Sequence, residues 1–130
     1  MLMKKLAVAA IADVVVMTGT SAYAFGSKST QLSNGVLSVS ASDGCQVSGN
    51  CSLFYSATTY KKTGGSKVTV QLALDTSNEL FKDSAKSVSA GQTVKHSWGG
   101  LRKSRVNDCS VVGYMEADTG QYYTPPVSVC

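Results

Sequence analysis

Histidine, tryptophan and proline are scarce in this chain of 130 residues, which contains 1 His, 1 Trp and 2 Pro. The single histidine, His96, leaves little from which to build a catalytic triad. Ser97 is no partner for it, because neighbouring side chains on a strand point to opposite faces. Asp118-Thr119-Gly120 occurs once, whereas aspartic proteases need two carboxylates that share a proton, and the tripeptide is common turn chemistry. The sequence therefore predicts a protein that is not an enzyme.

Charged residues are also few: they make up 15% of the chain, and the net charge is +4. Beyond the N-terminal segment the basic residues are spread out, with adjacent pairs at Lys61-Lys62 and Arg102-Lys103. A nucleic-acid groove would need a denser basic stripe interleaved with aromatic side chains. We therefore expect no nucleic-acid partner.

The first 24 residues have the pattern of a secretory signal peptide. Lys4-Lys5 supplies a positive start, Leu6 to Met17 is apolar, and Ala22-Tyr23-Ala24 places small residues where a signal peptidase cleaves. The alternative is an uncleaved anchor, but the apolar stretch is shorter than the roughly 20 residues of a spanning helix. Asp13 within it counts further against an anchor. We expect cleavage after residue 24, a secreted and extracellular protein, and no stable membrane insertion.

The 4 cysteines all lie in residues 25–130, the range of the single predicted domain. An even number of cysteines in a short exported chain predicts disulfides rather than free thiols. Their spacing fits none of the common zinc patterns, so we expect neither a metal nor another cofactor.

The pairing of the cysteines follows from the turns between them. Residues that face each other across an antiparallel hairpin are equidistant from the centre of its turn. Cys109 and Cys130 are centred on the Thr119-Gly120 turn, and Cys45 and Cys51 are centred on Ser48, beside a glycine. This predicts the disulfides Cys45–Cys51 and Cys109–Cys130.

The clearest strand pattern runs from Lys67 to Asp75, where apolar and mostly polar residues alternate. An extended chain would place the apolar set on one face, whereas a helix would distribute it around the axis. The run is preceded by a strand-like segment, Cys51 to Lys62, and by the turn Thr63-Gly64-Gly65-Ser66. Two such runs joined by a Gly-Gly turn predict a β-hairpin. The apolar set is Val68, Val70, Leu72 and Leu74.

The rest of the chain adds further short strands. The expected strands span residues 35–41, 88–98, 110–117 and 121–129, and the last should bend or lie at an edge because of Pro125-Pro126. Residues 25–34 are predicted to be a loose N-terminal tail, and Glu79 to Lys82 at most one helical turn. The sequence thus predicts an all-β protein, a small antiparallel β-sandwich of about six strands with two disulfides.

Aromatic residues supply the candidates for binding. Tyrosine and tryptophan are enriched in contact patches, although small β-proteins also use them for packing between strands. We select Tyr55, Tyr60, His96 and Trp98 as candidate binding residues. The other aromatic residues in or beside predicted strands include Tyr114, Tyr122 and Tyr123.

Residues 51–109 resemble the small secreted α-amylase inhibitors of the tendamistat type. The similarity lies in Cys51, Tyr55 and Tyr60, in the alternating strand 67–72, and in the Val88 to Thr93 segment. The resemblance implies a six-stranded β-sandwich whose two disulfides join cysteines consecutive in sequence. The family's amylase-blocking Trp-Arg-Tyr falls on Thr58-Thr59-Tyr60, which keeps only the tyrosine.

A second similarity is to bacteriocins of the lactococcin 972 type, through the Tyr55 to Tyr60 segment and the signal peptide. It implies an antimicrobial protein that acts at the cell envelope. The leading hypothesis is a small secreted, inhibitor-like binding protein, whose partner is an extracellular protein or a cell-wall or carbohydrate ligand. The bacteriocin-like protein is the alternative.

Overall fold

The computed structural model describes residues 24–130, which consist almost entirely of β-strands. The predicted signal peptide lies outside this range, apart from its last residue. Short helical turns are found at α1 (Gly44–Val47) and, in 3-10 form, at Lys103–Arg105. The strands in chain order are β1 (Ala24–Leu32), β2 (Gly35–Asp43), β3 (Leu53–Lys62), β4 (Val68–Thr76), β5 (Leu80–Lys82), β6 (Lys86–Val88), β7 (Thr93–Arg102), β8 (Ser110–Ala117), β9 (Gly120–Tyr123) and β10 (Val127–Ser128).

The strands form two antiparallel sheets that pack face to face. Sheet A has the strand order β1-β2-β3-β7. Sheet B has the order β10-β8-β4-β5, with β6 pairing with β4 and β9 pairing with β8. The predicted all-β antiparallel architecture is confirmed. The strands are more numerous than predicted for two reasons. The expected strands 88–98 and 121–129 are each divided in two, and β1 and β5 form where no strand was expected.

Strand β4 has the predicted two-faced character and lies at the centre of sheet B. Val70, Leu72 and Leu74 are buried, whereas Thr69 and Gln71 alternate with them on the outer face. The inner residues pack against the inner face of sheet A. Burying one such aliphatic side chain contributes about 1.5–3 kcal/mol to folding.

The core consists of two hydrophobic clusters that both draw on the two sheets. One cluster includes Val39 and Phe54 from sheet A together with Leu74 and Val111 from sheet B. The other lies toward the opposite end of the sandwich, where the buried residues are Leu37, Tyr60, Val70, Leu72, Val88 and Met115.

The predicted hairpin of β3 and β4 is wrong, because the two strands lie in different sheets. The Thr63–Ser66 segment carries the chain from sheet A to sheet B. Its amides at Thr63 and Gly64 donate to the Asn34 carbonyl, which fixes the crossing beside the β1–β2 turn. Each strand has one apolar face, and these faces meet across the core instead of lying side by side.

The predicted loose tail at 25–34 is also wrong. Strand β1 pairs with β2 along its length, from Leu32 opposite Gly35 to Ala24 opposite Ser42. Its polar outer residues gave no apolar signal, but Phe25 and Leu32 at its two ends pack against the core clusters. The Glu79 to Lys82 stretch likewise contains a strand, β5, rather than a helical turn.

Both predicted disulfides are present, Cys45–Cys51 and Cys109–Cys130. Cys45–Cys51 closes the connection between β2 and β3, which contains α1. The Asp43 carboxylate caps that helix, accepting from the Cys45 amide at 3.0 Å and from Lys103 Nζ at 3.0 Å. The amide and then the ammonium group hold the pKa of Asp43 below its usual value.

Cys109–Cys130 ties the last residue to the start of β8. Strand β8 pairs first with β9, where Tyr114 faces Tyr123, and then with β10, where Val111 faces Val127. Pro125-Pro126 lies between β9 and β10 and interrupts the predicted last strand, and β10 lies at an edge of sheet B as predicted. Within the described residues, no helix is long and apolar enough to cross a membrane.

Candidate functional site

The four candidate binding residues do not form one surface. Tyr60 faces the core and is only 4% exposed, with its hydroxyl donating to the Asn34 carbonyl at 3.4 Å. Tyr55 lies on the outer face of sheet A, on the opposite side of the same strand. The two tyrosines are separated by an odd number of positions, so a regular strand must place them on different faces.

His96 and Trp98 lie together on the inner face of β7, at the edge of sheet A. Their ring centroids are 4.4 Å apart in an edge-to-face arrangement. Trp98 Nε1 donates to Thr58 Oγ1 at 3.1 Å, and Thr58 Oγ1 donates to the Ala73 carbonyl of sheet B at 2.9 Å. Thr58 therefore links the two sheets, and the Trp98 indole is held against it within sheet A, where the ring also packs against one core cluster.

Asp83, in the connection between β5 and β6, completes this cluster. Its Oδ1 lies 3.3 Å from His96 Nδ1 and its Oδ2 lies 2.7 Å from Lys86 Nζ. The Lys86 ammonium group lowers the pKa of Asp83, and the Ser84 amide and His96 lower it further. Burial raises this pKa by less, so its net shift is downward. The Asp83 amide donates to the Leu72 carbonyl at 2.9 Å, which fixes the connection against β4.

We interpret the cluster of His96, Trp98 and Asp83 at the edge of sheet A as structural. Thr58 is fully buried, and its hydroxyl already donates to the Ala73 carbonyl, so it is not placed to act as a nucleophile. The cluster instead joins β7 of sheet A to the β5–β6 connection of sheet B through the contact between His96 Nδ1 and Asp83 Oδ1. No sequence pattern predicts this cluster, because Asp83 lies in the β5–β6 connection and Lys86 at the start of the short strand β6, and neither belongs to a motif.

The outer face of sheet B presents the most exposed aromatic side chain of the described residues. Tyr123 is 50% exposed, and its ring stacks on that of Tyr114 with centroids 4.6 Å apart and an interplanar angle of 21°. Tyr114 is only 5% exposed, since Tyr123 covers it. The pair forms because β8 and β9 place the two residues directly opposite each other.

Polar side chains surround the stacked pair. The Tyr114 hydroxyl donates to Glu116 Oε2 at 2.8 Å, and Lys82 Nζ lies 3.7 Å from the same oxygen. Burial, and then the hydrogen bond to Glu116 and its negative charge, raise the pKa of Tyr114. Lys82 and Glu116 are partly exposed, so their ion pair adds little stability and their remaining hydrogen-bonding capacity faces solvent.

A shallow depression of about 210 Å³ adjoins Glu116 on this face, and its lining also includes Gln71 and Asp118. Gln71 Nε2 donates to the Asp83 carbonyl at 2.9 Å, and Asp118 Oδ2 accepts from the Thr69 amide at 3.1 Å. These bonds hold the side chains in place and leave other oxygens of the amide and carboxylate available to a ligand. We call Gln71, Lys82, Tyr114, Glu116 and Tyr123 the tyrosine face.

The outer face of sheet A has a different character. Small hydroxyl side chains and lysines follow one another across its strands, as in the row of Ser29, Ser38, Thr59 and Lys95. Tyr55 is half-buried there, and its ring lies close to Gly100 of the neighbouring strand. This face therefore offers no exposed aromatic ring comparable with that of Tyr123.

Sequence reasoning named the tyrosines of the tyrosine face but did not select them. The adjacent pair Tyr122-Tyr123 contributes one ring to each side of β9: Tyr122 packs against the core and Tyr123 faces solvent. Which ring points outward depends on the register of β8 with β9. The turn Asp118-Thr119-Gly120 sets this register, because it places Ala117 opposite Gly120.

Among residues 24–130, no group of three or more histidine, cysteine, aspartate and glutamate side chains is placed to hold a metal ion. No known family model matches the chain, and neither a curated protein nor a solved structure matches it significantly. Function is therefore inferred from the geometry of the described residues.

Proposed function

We propose that this is a small secreted, disulfide-stabilised binding protein that takes an extracellular polysaccharide on its tyrosine face. The observation that carries the proposal is the ring of Tyr123, half exposed and stacked on the buried Tyr114. An aromatic ring with an apolar face and a polar tip suits a ligand that is apolar on one side and polar at its edge. The flat carbon face of a pyranose ring, edged by hydroxyls, is such a ligand.

The polar part of the tyrosine face suits the hydroxyls of a sugar. Glu116 and Gln71 offer oxygens that accept hydrogen bonds, and Lys82 is a donor. All three stand near the stacked rings on one side of the same sheet, because each belongs to the outer face of its strand. A sugar that lies on Tyr123 would meet these groups at its edge.

The side chains of the tyrosine face are held in place before any ligand binds, which also supports the proposal. The Tyr123 ring is stacked, the Tyr114 hydroxyl is bonded to Glu116, and Gln71 is bonded to the backbone of the β5–β6 connection. Side chains that are already ordered lose little conformational entropy when a ligand binds.

Export is supported by the signal-like N-terminal segment, and the two disulfides are compatible with an extracellular protein.

The test is a depletion assay with protein recovered from a host that exports the full chain. Insoluble glucan, mannan, xylan and chitin are incubated with the wild type and with Tyr123→Ala, Tyr123→Phe and Tyr55→Ala. We expect retention by at least one polymer and a loss of affinity of about tenfold or more in Tyr123→Ala, equivalent to about 1.4 kcal/mol. Tyr123→Phe keeps the ring and should bind within about threefold of the wild type, and the loss of an exposed hydroxyl should change little.

Tyr55→Ala is the matched control, since it removes a tyrosine from the outer face of the other sheet. Equal retention of the wild type and Tyr123→Ala would contradict the proposal, as would retention by none of the polymers. Capture of a single extracellular enzyme from culture supernatant, with no polymer bound, would replace it with the inhibitor-like function.

A further inference from the structure

Lys62 is the most deeply buried charged side chain of the described chain, with only 1% of its surface exposed. It lies at the end of β3 on the inner face of the strand. The Lys62 amide donates to the Gln92 carbonyl at 3.0 Å, and its own carbonyl accepts from the Gly91 amide at 2.8 Å. These two bonds fix the backbone, so the side chain is held between the two sheets.

The ammonium group of Lys62 has no partner within residues 24–130. None of the five ion pairs there includes it, and its Nζ takes part in no hydrogen bond. Among the described residues the one fully enclosed polar side-chain atom without a hydrogen-bond partner is Asp83 Oδ2, so the Lys62 ammonium group keeps some access to the cavity. A cation with little access to water and no counter-charge is nevertheless less stable than one paired with an anion. Its neighbour Lys61 points outward and is exposed, as lysine usually is.

Lys62 lines a cavity of about 120 Å³ between the sheets, where the β1–β2 and β8–β9 turns meet. The cavity walls include apolar side chains such as Val70 and Met115, and no carboxylate is among the lining residues. Tyr60 and Tyr122 also line it. Their hydroxyls donate to the Asn34 carbonyl at 3.4 Å and to Thr119 Oγ1 at 2.9 Å, so both rings are held in position.

We propose that this cavity binds a small carboxylate, with the carboxylate paired to Lys62 and a short alkyl chain packed against the apolar walls. The anion would supply the counter-charge that the ammonium group lacks. A dry cavity of about 150 Å³ accepts benzene, so the cavity here suits a ligand of only a few carbon atoms. Tyr122 and Tyr123 point to opposite sides of β9, which makes this site separate from the tyrosine face and independent of the polysaccharide proposal.

The test is a titration of the exported protein with sodium butyrate. Binding is monitored through the chemical shifts of the methyl groups of Val70 and Met115. We expect saturable shifts in the wild type and in Lys61→Met, whose exposed lysine is the matched control. Lys62→Met should bind butyrate at least tenfold more weakly. Methionine is apolar and of similar reach, so the variant should fold, and an unchanged or raised melting temperature would verify that it does.

A second measurement uses the wild type alone. Butyramide has the shape of butyrate without its charge, and we expect it to bind at least tenfold more weakly. Equal affinity for butyrate and butyramide would overturn the proposal. Equal binding of butyrate by the wild type and Lys62→Met would do the same, as would the absence of saturable shifts in the wild type.

Discussion

Asp83 shows at the level of a single residue how a loop side chain holds the two sheets together. Its side chain is only 10% exposed, and it contacts Lys86 through one oxygen and His96 of sheet A through the other. These contacts favour the charged carboxylate and lower its pKa below the ordinary 3.8. A group whose pKa is lower in the folded state stabilises the fold above the unfolded pKa, and this stabilisation is lost as the pH falls through the folded pKa.

We therefore predict that Asp83→Asn destabilises the protein at neutral pH by about 1–3 kcal/mol, the range for removing a buried hydrogen-bonding partner. The difference from the wild type should persist down to about pH 4 and disappear in stronger acid, where Asp83 itself becomes protonated. Melting temperatures measured between pH 7 and pH 2 would check this. The control is Asp75→Asn, on the outer face of sheet B, and a loss for Asp83→Asn that does not depend on pH would contradict the account.

Gly113 lies on the inner face of β8, where it faces Val39 of sheet A closely. A Cβ atom added there would lie 2.9 Å from Cβ of Val39 and 3.1 Å from Cγ2 of Thr124. Neither neighbour can move easily, because Val39 is buried in the core and Thr124 Oγ1 accepts from the Gly113 amide at 2.9 Å. The sandwich therefore has no room for a side chain at this position.

Gly113→Ala should accordingly cost about 1–3 kcal/mol of stability, the usual penalty for adding an atom to a packed core. Gly64→Ala is the control, since its new Cβ would meet only Asn34 Oδ1 at 3.8 Å, an ordinary contact. Urea denaturation of both variants would measure the difference. A loss in Gly113→Ala no larger than that in Gly64→Ala would show that the sheets adjust freely here.

At the scale of the elements, the two disulfides constrain loops of very different length. Cys45–Cys51 spans 6 residues and closes the β2–β3 connection, whereas Cys109–Cys130 spans 21 residues and encloses β8, β9 and β10. In the chain-entropy model a disulfide stabilises the fold by restricting the unfolded chain, and a longer loop gains more. The C-terminal disulfide should therefore be the more important one.

Replacing Cys109 and Cys130 together by alanine should cost about 3 kcal/mol, against about 2 kcal/mol for the same change at Cys45 and Cys51. Guanidinium denaturation of the two double variants would measure both free energies of unfolding. An equal cost, or a larger cost for the shorter loop, would indicate that native-state effects outweigh the entropy of the unfolded chain.

The incorrect prediction of a β3–β4 hairpin shows what sequence patterns cannot predict about the arrangement of strands. Alternation of apolar and polar residues shows which face of a strand is buried, but not which strand lies beside it. The Gly64-Gly65 turn is compatible with a hairpin and with a crossing between sheets. The hydrogen bonds of Thr63 and Gly64 to Asn34 decide between them, and these depend on β1, whose polar sequence predicts no strand.

The candidate site was predictable only in part, for a similar reason. Tyrosines in strands predicted a contact surface. His96 and Trp98, both selected from the sequence, lie two positions apart on β7, and their rings are in contact. Selecting Tyr123 over Tyr60 requires the register between strands, which decides which rings are covered. The burial of Lys62 had no sequence signal at all, since lysine is rarely buried and nothing nearby marks the cavity.

At the scale of the whole molecule, the sandwich separates its surfaces by chemistry. The outer face of sheet A carries hydroxyls and lysines, the outer face of sheet B carries the stacked tyrosines with Glu116, and the inner faces enclose the core and the Lys62 cavity. The sheets and disulfides hold each surface in a fixed position. A rigid scaffold of this kind suits the binding function that we propose.

The most direct test of that proposal is a map of amide and side-chain chemical shifts in the isotope-labelled protein. It is titrated with soluble oligosaccharides of glucan, mannan, xylan and chitin. We predict saturable shifts concentrated on Gln71, Tyr114, Glu116 and Tyr123, with Tyr55 and the rest of the outer face of sheet A unchanged. Shifts concentrated on the outer face of sheet A, or no saturable shift with any of the oligosaccharides, would contradict it.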